Sequence, residues 1–304
     1  MQALRPESFG TVAIVSAAML WGTTGTAASF FPGAVSPIAV GAVTMVGGGL
    51  LLFLVSFRGA IAAFHDVSSR RWLLLGAVGV FVYPLAFYSS MNLAGVAVGN
   101  VVSLGTGPVF AAVLERVIER ESLSTLWKVT TPIALLGVVL LSLGGHALNQ
   151  GDQGSATFGI VLGLLAGLSY ALYTYCSTRV IRAGHSSGAT MGAVFGAGAI
   201  GLLPVLMIFG APLLHSVPSL AIASYLIVGP MFVAYLLFGV GLRTTRSSTA
   251  TTITLLEPVV ATLLAVVVVG ELLTPTAWGG LGLIFVAVTV LSTARHPRKT
   301  LVSP

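Results

Sequence analysis

The chain contains ten apolar segments, each about twenty residues long, separated by short polar stretches. A helix needs roughly 20 apolar residues to cross the hydrocarbon core of a bilayer, whereas the strands of a membrane barrel alternate polar and apolar residues. These segments do not alternate, and only 7% of the residues are charged, which is too few to cover a water-facing surface. We therefore predict an all-α membrane protein with ten transmembrane helices, at residues 9–30, 35–57, 72–91, 95–115, 126–144, 156–179, 186–209, 219–241, 248–269 and 276–294.

The two halves of the sequence match when one is shifted by 150 residues. Residues 104–109 (LGTGPV) then fall on residues 254–259 (TLLEPV), and Glu121 falls on Glu271. This match predicts two repeats of five helices, at residues 1–148 and 149–304. Because five is an odd number, the second repeat crosses the membrane in the opposite direction, which makes the pair an inverted-topology repeat.

The basic residues test this topology. Cytoplasmic loops of membrane proteins carry an excess of Lys and Arg. All 14 Lys and Arg fall near the two termini or near the loops that follow helices 2, 4, 6 and 8, which an inverted repeat places on one side. We therefore expect a multi-pass protein of the inner (plasma) membrane with both termini cytoplasmic. The basic residues form no long run, so nucleic acid is not an expected partner.

Signatures of the common enzyme classes are absent from the sequence. Neither Lys128 nor Lys299 follows a phosphate-binding glycine loop, which excludes ATP hydrolysis through a P-loop. The five histidines fall in predicted loops and tails without metal-ligand spacing, and the single Cys176 excludes a disulfide framework. We predict no enzyme activity, no catalytic residue, no metal and no cofactor.

Proline inside a membrane helix removes a backbone hydrogen bond that lipid cannot replace. Pro108 and Pro258 occupy equivalent positions in the two repeats. Interrupted helices at matching positions are the best sequence indication of the central site of a transporter, although a single proline is equally often a harmless kink. We predict that Gly107, Pro108 and Pro258 form hinges.

Glu257 is predicted about eight residues into its helix, roughly 12 Å deep at 1.5 Å per residue. A charge at that depth costs about 2.5–3.5 kcal/mol on insertion scales, so the carboxyl group should face the interior of the bundle. It either binds a cationic group or carries a proton, or it is a structural carboxyl group that bonds a neighbouring helix.

Several further polar and aromatic residues are predicted to line a central cavity with Glu257. Asn100, Ser103 and Gly107 share one helix face, and Thr254 adds a hydroxyl from the matching helix. Polar residues of this kind also hold helices together, and for the threonine that role is the more frequent one. The aromatic candidates, for which core packing is the alternative, are Trp21, Tyr83, Phe87, Tyr170, Tyr173 and Tyr235.

Several segments together resemble the EamA branch of the drug/metabolite transporter superfamily. Residues 256–264 (LEPVVATLL) followed by Gly270-Glu271 resemble the family signature, and residues 107–112 (GPVFAA) are its first-half counterpart. Residues 17–22 (AAMLWG) and 166–171 (AGLSYA) are similar to the first and sixth helices of the family. The resemblance implies ten helices and export of small molecules by alternating access through a central cavity.

Within that superfamily the chain looks most like bacterial aromatic amino acid exporters of the YddG type, which also pass cationic drugs such as methyl viologen. We therefore expect a secondary exporter of aromatic or hydrophobic amino acids, with a proton as a candidate coupling ion and the lipid bilayer as its environment. A transporter of phosphorylated metabolites such as nucleotide sugars is the alternative, but it would need Lys or Arg facing the cavity. Outside the transporters, the alternatives are a membrane-embedded enzyme and a channel.

Overall fold

The computed structural model of the chain describes residues 6–32, 35–145, 153–270 and 272–293. Within them, ten helices are long and apolar enough to cross a membrane, which confirms the predicted fold class. The predicted boundary between the repeats, at residues 148 and 149, lies outside the described residues. So do four of the basic residues, Arg5, Arg295, Arg298 and Lys299.

We number the membrane spans 1 to 10 and refer to spans 1–5 and 6–10 as the first and second halves. Seven spans are single helices: Pro6–Ser29 (span 1), Pro37–Val55 (2), Val67–Ala94 (3), Thr125–Gly145 (5), Gln153–Arg182 (6), Ser187–Phe209 (7) and Pro275–Thr293 (10). Span 4 is the α-helix Val96–Leu114 followed by the π-helical turn Glu115–Glu119. Span 8 has a π-helical segment, Ile227–Val233, between Val217–Leu226 and Ala234–Gly241. Span 9 consists of Ser247–Ile253, Leu256–Leu264 and the π-helical turn Ala265–Val269.

Two short helical segments were not predicted from the sequence. The α-helix Phe57–His65 lies between spans 2 and 3, and the 3-10 turn Ala211–Leu214 lies between spans 7 and 8. Phe57–His65 buries Ala60 and Ala63 while Phe57 stays exposed. It is too short to cross a membrane, so a search for apolar segments of about twenty residues cannot detect it.

Contacts between the spans follow the internal repeat. Span 2 packs on span 7 and span 5 packs on span 10, and each of these pairs joins equivalent spans of the two halves. Span 1 packs on spans 8 and 9, while its equivalent, span 6, packs on spans 3 and 4. A two-fold rotation that exchanges the halves produces this pattern of contacts.

The equivalent spans 2 and 7 run in opposite directions. A Cβ atom placed on Gly49 would lie 2.6 Å from the carbonyl oxygen of Phe195, and one on Gly192 would lie 2.6 Å from that of Leu52. From the first contact to the second, the residue number increases in span 2 and decreases in span 7, so the two helices are antiparallel. Opposite directions for equivalent spans are the geometry of an inverted repeat.

The repeat extends to irregular details of the backbone. Each of the helices that contain Pro108 and Pro258 ends in a five-residue π-helical turn, at Glu115–Glu119 and Ala265–Val269. These ranges are 150 residues apart. Each turn is followed by a residue in the left-handed conformation, Arg120 with φ 55° and Gly270 with φ 82°. The left-handed conformation favours glycine, so only Gly270 adopts it without a steric cost.

The loops after spans 2, 4, 6 and 8 meet on one face of the bundle, which we call the basic face. Asp66 pairs with His185 across 2.9 Å, and Arg246 pairs with Glu121 across 2.6 Å. Glu119 contacts both Arg179 and Arg182, at 3.6 and 3.5 Å. Ten Lys and Arg lie in or beside these loops: Arg58, Arg70, Arg71, Arg116, Arg120, Lys128, Arg179, Arg182, Arg243 and Arg246.

A buried carboxylate also joins the halves near this face. Glu115, at the end of span 4, is 3% exposed and accepts hydrogen bonds from the backbone N–H and the hydroxyl of Ser248, at 3.0 and 2.6 Å. Nearby, the indole N–H of Trp127 donates to Thr252 at 3.1 Å. These bonds hold the first half of span 9 against spans 4 and 5.

Candidate functional site

Span 9 is interrupted at Thr254 and Leu255, just before Pro258. In a regular helix the N–H of residue 258 would donate to the carbonyl of Thr254, but proline has no N–H. The N–H of Glu257 donates to that carbonyl instead, at 2.9 Å. The chain therefore makes a tight turn at Thr254 and Leu255, and a new helix begins at Leu256.

This new beginning places Glu257 in the first turn of the helix Leu256–Leu264. The first turn of a helix carries a partial positive charge, which stabilises a nearby carboxylate. Span 1 approaches closely here, because a Cβ on Gly22 would lie 2.9 Å from the carbonyl oxygen of Glu257. The interruption thus provides a position for an acidic side chain inside an apolar bundle.

Glu257 lies on the wall of a cavity of about 110 Å³. Spans 1, 2, 3, 4, 6, 8 and 9 contribute to the wall, so both halves take part. The cavity lies between the middle of the bundle and the face opposite the basic face. Its lining residues are Trp21, Thr24, Gly41, Thr44, Met45, Tyr83, Pro84, Phe87, Tyr88, Leu104, Tyr170, Tyr173, Leu226, Pro230, Met231, Tyr235 and Glu257.

The aromatic residues of the wall form one connected cluster. Trp21 and Tyr235 have ring centroids 4.8 Å apart, and Tyr173 lies 6.2 Å from Tyr235. Tyr83 connects Tyr173, at 6.0 Å, with Phe87, whose ring is stacked at 5.5 Å. Aromatic pairs at these separations stabilise one another, so the rings form a rigid wall.

Hydrogen bonds fix the hydroxyl groups of three aromatic residues of the wall. The hydroxyl of Tyr170 lies 2.6 Å from Thr254 Oγ1, and those of Tyr173 and Tyr235 are 3.0 Å apart. The indole Nε1 of Trp21 is different: it is buried and has no hydrogen-bond partner among the described residues. A buried N–H without an acceptor is costly, so a bound molecule that supplies an acceptor would lower this cost.

The structure brings seven of the ten predicted binding residues to the cavity wall: Trp21, Tyr83, Phe87, Tyr170, Tyr173, Tyr235 and Glu257. Thr254 lies behind the wall, where it bonds the hydroxyl of Tyr170. Asn100 and Ser103 are not among the lining residues. Ser103 is fully buried, and its carbonyl oxygen would lie 2.8 Å from a Cβ on Gly167 of span 6.

The predicted hinge residues lie in different surroundings. Pro108 is inside the α-helix Val96–Leu114, whereas Pro258 follows the interruption of span 9. Gly107 packs against a ring, because a Cβ placed on it would lie 2.8 Å from Cδ1 of Tyr170. Its position therefore has a packing reason in addition to the predicted flexibility.

Sequence reasoning missed about half of the cavity wall. Thr24 and Thr44 contribute hydroxyl groups that the sequence did not single out, and Tyr88, an aromatic residue within a predicted span, was not among the predicted binding residues. Tyr88 adjoins the predicted Phe87, and the two rings are in edge contact at 5.3 Å. A search for every aromatic residue next to a predicted one would have found it, but Gly41 and Leu104 carry no signal of this kind.

The chemistry available at the cavity is simple. Among the described residues that line the wall, Glu257 is the only charged one, and the others are aromatic, aliphatic or hydroxyl-bearing. Within residues 6–32, 35–145, 153–270 and 272–293, no cluster of His, Cys, Asp and Glu has metal-binding geometry. The wall suits an organic molecule that carries a positive charge and an apolar group.

Comparison with known proteins agrees with the duplicated architecture. The model of the EamA-like transporter family matches the chain twice, at residues 8–143 and 157–293. A solved crystal structure with 22% sequence identity superimposes with a TM-score of 0.73 and covers 92% of this chain and 95% of that chain, which supports the fold.

Curated relatives carry names that give no substrate. The uncharacterized transporter YwfM of Bacillus subtilis is 30% identical over 291 residues, which are 94% of this chain and 95% of that protein. The uncharacterized inner membrane transporter YedA of Escherichia coli K12 is 28% identical over 237 residues, which are 76% of this chain and 73% of that protein. The two family matches and the near full-length similarity to YwfM show that the chain is a multi-pass membrane transporter, not an enzyme, and that it belongs to the EamA-like transporter family.

Proposed function

We propose that this transporter exports small organic molecules through the cavity around Glu257. Its main substrates are aromatic or hydrophobic amino acids, and its additional substrates are cationic drugs such as methyl viologen. The observation that carries this proposal is a single carboxyl group set in a wall of aromatic rings. A carboxylate attracts an ammonium group, and aromatic faces attract both cations and apolar side chains.

The unpaired N–H of Trp21 supports a zwitterionic substrate. An amino acid carries both an ammonium group and a carboxylate. Glu257 offers an acceptor for the first, and the indole Nε1 of Trp21 is a donor for the second. The rings of Tyr83 and Phe87 would then surround the side chain of the substrate.

The same wall argues against phosphorylated substrates. Recognition of phosphate generally uses Arg or Lys, and none of the lining residues is basic. Export rather than import and proton coupling at Glu257 are parts of this proposal.

The mechanism that we propose is alternating access by movement of one half against the other. The halves correspond to residues 1–148 and 149–304, with Gly107, Pro108 and Pro258 as flexible points. Both termini and the basic face lie in the cytoplasm, in agreement with the positive-inside rule. The cavity then opens to the outside in this conformation.

The direct test is efflux of radiolabelled phenylalanine from cells that express the chain. We expect efflux above the empty-vector level, and we expect Glu257→Gln to abolish it at equal expression because the substrate ammonium loses its counter-ion. Trp21→Phe should weaken phenylalanine export more than methyl viologen export, since only the first substrate has a carboxylate. Efflux equal to that of the empty vector for every amino acid and for methyl viologen would overturn the proposal, as would efflux of a nucleotide sugar alone.

Proton coupling has a separate readout. Export should be measured at two external pH values with the membrane potential held constant. We expect the export rate of the wild-type protein to change with the proton gradient, because each cycle of a coupled exporter also moves a proton. Equal rates at both pH values would contradict proton coupling while leaving the substrate assignment in place.

A further inference from the structure

One part of the cavity wall lies where span 8 faces spans 1 and 2. Span 2 contributes Gly41, Thr44 and Met45 to the wall, and span 8 contributes Leu226 and Pro230. A shift of 150 residues converts span 2 into span 7 and span 8 into span 3. Because the halves form an inverted repeat, the equivalent surfaces of spans 3, 6 and 7 lie toward the basic face.

Those equivalent surfaces are packed together. Met191, Val194 and Phe195 are the counterparts of the three residues of span 2, and all three are at most 1% exposed. A Cβ on Gly76, the counterpart of Leu226, would lie 3.1 Å from Val194 Cγ1 and 3.3 Å from Cys176 Cβ. We call this contact of Gly76 with Cys176 and Val194 the basic-side seam.

Charged groups close the seam at the basic face. Asp66, immediately before span 3, bonds Nε2 of His185, which follows span 6, at 2.9 Å. The guanidinium of Arg179 lies 4.6 Å from the ring centroid of Trp72, and its Nη1 is 3.6 Å from Glu119. Each of these contacts joins the first half of the protein to the second.

The counterparts of these groups on the cavity side carry no charge. Ser216 corresponds to Asp66 and Ile222 to Trp72 at the shift of 150 residues, and Phe30 corresponds to Arg179 at the shift of 149 residues that aligns span 1 with span 6. The charged contacts are therefore specific to the closed side. Partly exposed ion pairs are individually weak, so such contacts can break and form again during a transport cycle.

We propose that the basic-side seam is the closed half of the substrate route, and that Asp66, His185, Trp72 and Arg179 form its gate. In the opposite conformation, Gly76 separates from Cys176 and Val194, and Met191, Val194 and Phe195 line the opened path. This proposal rests on the transport function proposed above, and it assigns a substrate-contacting surface on spans 3 and 7.

Cys176 is the single cysteine of the chain and is buried in the seam, so the wild-type protein carries its own reporter. The rate at which a fluorescent maleimide modifies Cys176 should be measured on the purified full-length protein in detergent. We expect Asp66→Asn and Arg179→Gln each to raise this rate, roughly tenfold, because they shift the population toward the conformation with an open seam. The matched control is Arg243→Gln, which removes a basic-face arginine that has no ion pair to a described residue.

A second reporter distinguishes gating from loosening of the fold. Thr24→Cys, in a Cys176→Ala background, places a thiol on the wall of the open cavity. The gate variants should lower its modification rate, since the cavity closes as the seam opens. The exchanged pair Asp66→His with His185→Asp should restore slow modification of Cys176.

Two results would overturn the proposal. One is an unchanged Cys176 rate in both gate variants, and the other is a rise at both reporters, which would indicate general loosening. Neither measurement needs a substrate. Reciprocal changes at the two reporters without any efflux would therefore support the gate and contradict the proposed function. Efflux without any change at the reporters would support the proposed function and contradict the gate.

Discussion

The hydroxyl oxygen of Tyr170 lies 2.6 Å from Oγ1 of Thr254, between spans 6 and 9. Thr254 is also the residue whose carbonyl accepts the N–H of Glu257 at the interruption of span 9. One residue therefore connects the turn that positions the carboxyl group to the ring cluster of the cavity. The position of Glu257 depends on this connection as well as on Pro258.

Replacement of Thr254 by valine keeps its shape and removes its hydroxyl. The buried hydroxyl of Tyr170 would then lose its partner, which costs about 1–3 kcal/mol. We expect a lower unfolding temperature and slower transport for Thr254→Val, whereas Thr254→Ser retains both. Equal behaviour of the two variants in a thermal unfolding assay would show that the hydrogen bond has no role.

Gly107 leaves room for the ring of Tyr170. A Cβ at position 107 would lie 2.8 Å from Tyr170 Cδ1, too close without movement of the ring. Over-packing of this kind costs about 1–3 kcal/mol, so Gly107→Ala should reduce export and stability together. Gly105→Ala is the matched control, since its nearest neighbour, Leu135, is at an ordinary 3.5 Å. An equally large loss of export in Gly105→Ala would show that the loss comes from replacing glycine in the helix and not from contact with Tyr170.

Spans 5 and 10 approach each other at Gly280. A Cβ there would lie 2.5 Å from the carbonyl oxygen of Gly137, which is part of the backbone and cannot move aside cheaply. We expect Gly280→Ala to lower stability by about 1–3 kcal/mol in thermal unfolding. Gly279→Ala meets no atom within 4 Å and should be neutral or slightly stabilising. Similar unfolding temperatures for the two variants would contradict the close approach.

Asp66 gives the protein an acid-sensitive contact outside the spans. Its hydrogen bonds with His185, and with the hydroxyl and backbone N–H of Ser68, hold the pKa of the carboxyl group well below its ordinary value. A lowered pKa in the folded state contributes stability that is complete above the unfolded value of about 3.9 and is lost as the pH falls further. The difference in unfolding temperature between wild type and Asp66→Asn should therefore be full at about pH 5 and shrink below about pH 4. If the difference in unfolding temperature instead increased as the pH fell, the pKa of Asp66 would be raised in the folded state and not lowered.

The fold was predictable because lipid imposes a strict condition on the chain. A span must be long and apolar, so the segments at residues 9–30 and 276–294 could be recognised without tertiary information. Span ends were less predictable: span 3 begins at Val67, whereas the sequence indicated residue 72. Ser69 is buried and Arg70 and Arg71 continue the helix, so their polarity concealed the first turn.

The cavity was less predictable than the fold, since residue type does not tell which face of a helix turns inward. Ser103 and Gly107 do share one face of span 4, but that face packs on span 6. Leu104, one position further along, reaches the cavity instead. Close approach of spans 4 and 6 at Gly107 and Gly167 decides this rotation, and such an approach depends on both helices at once.

The matching π-helical turns at Glu115–Glu119 and Ala265–Val269 have a consequence for directionality. At these two turns the main chain has nearly the same shape when viewed from either side of the bilayer. What distinguishes the two sides there is the side chains, such as Glu115 in one repeat and Ala265 in the other. We expect an exchange of charge at such a pair of positions, with the main chain unaltered there, to shift the side of the membrane to which the transporter is open at rest.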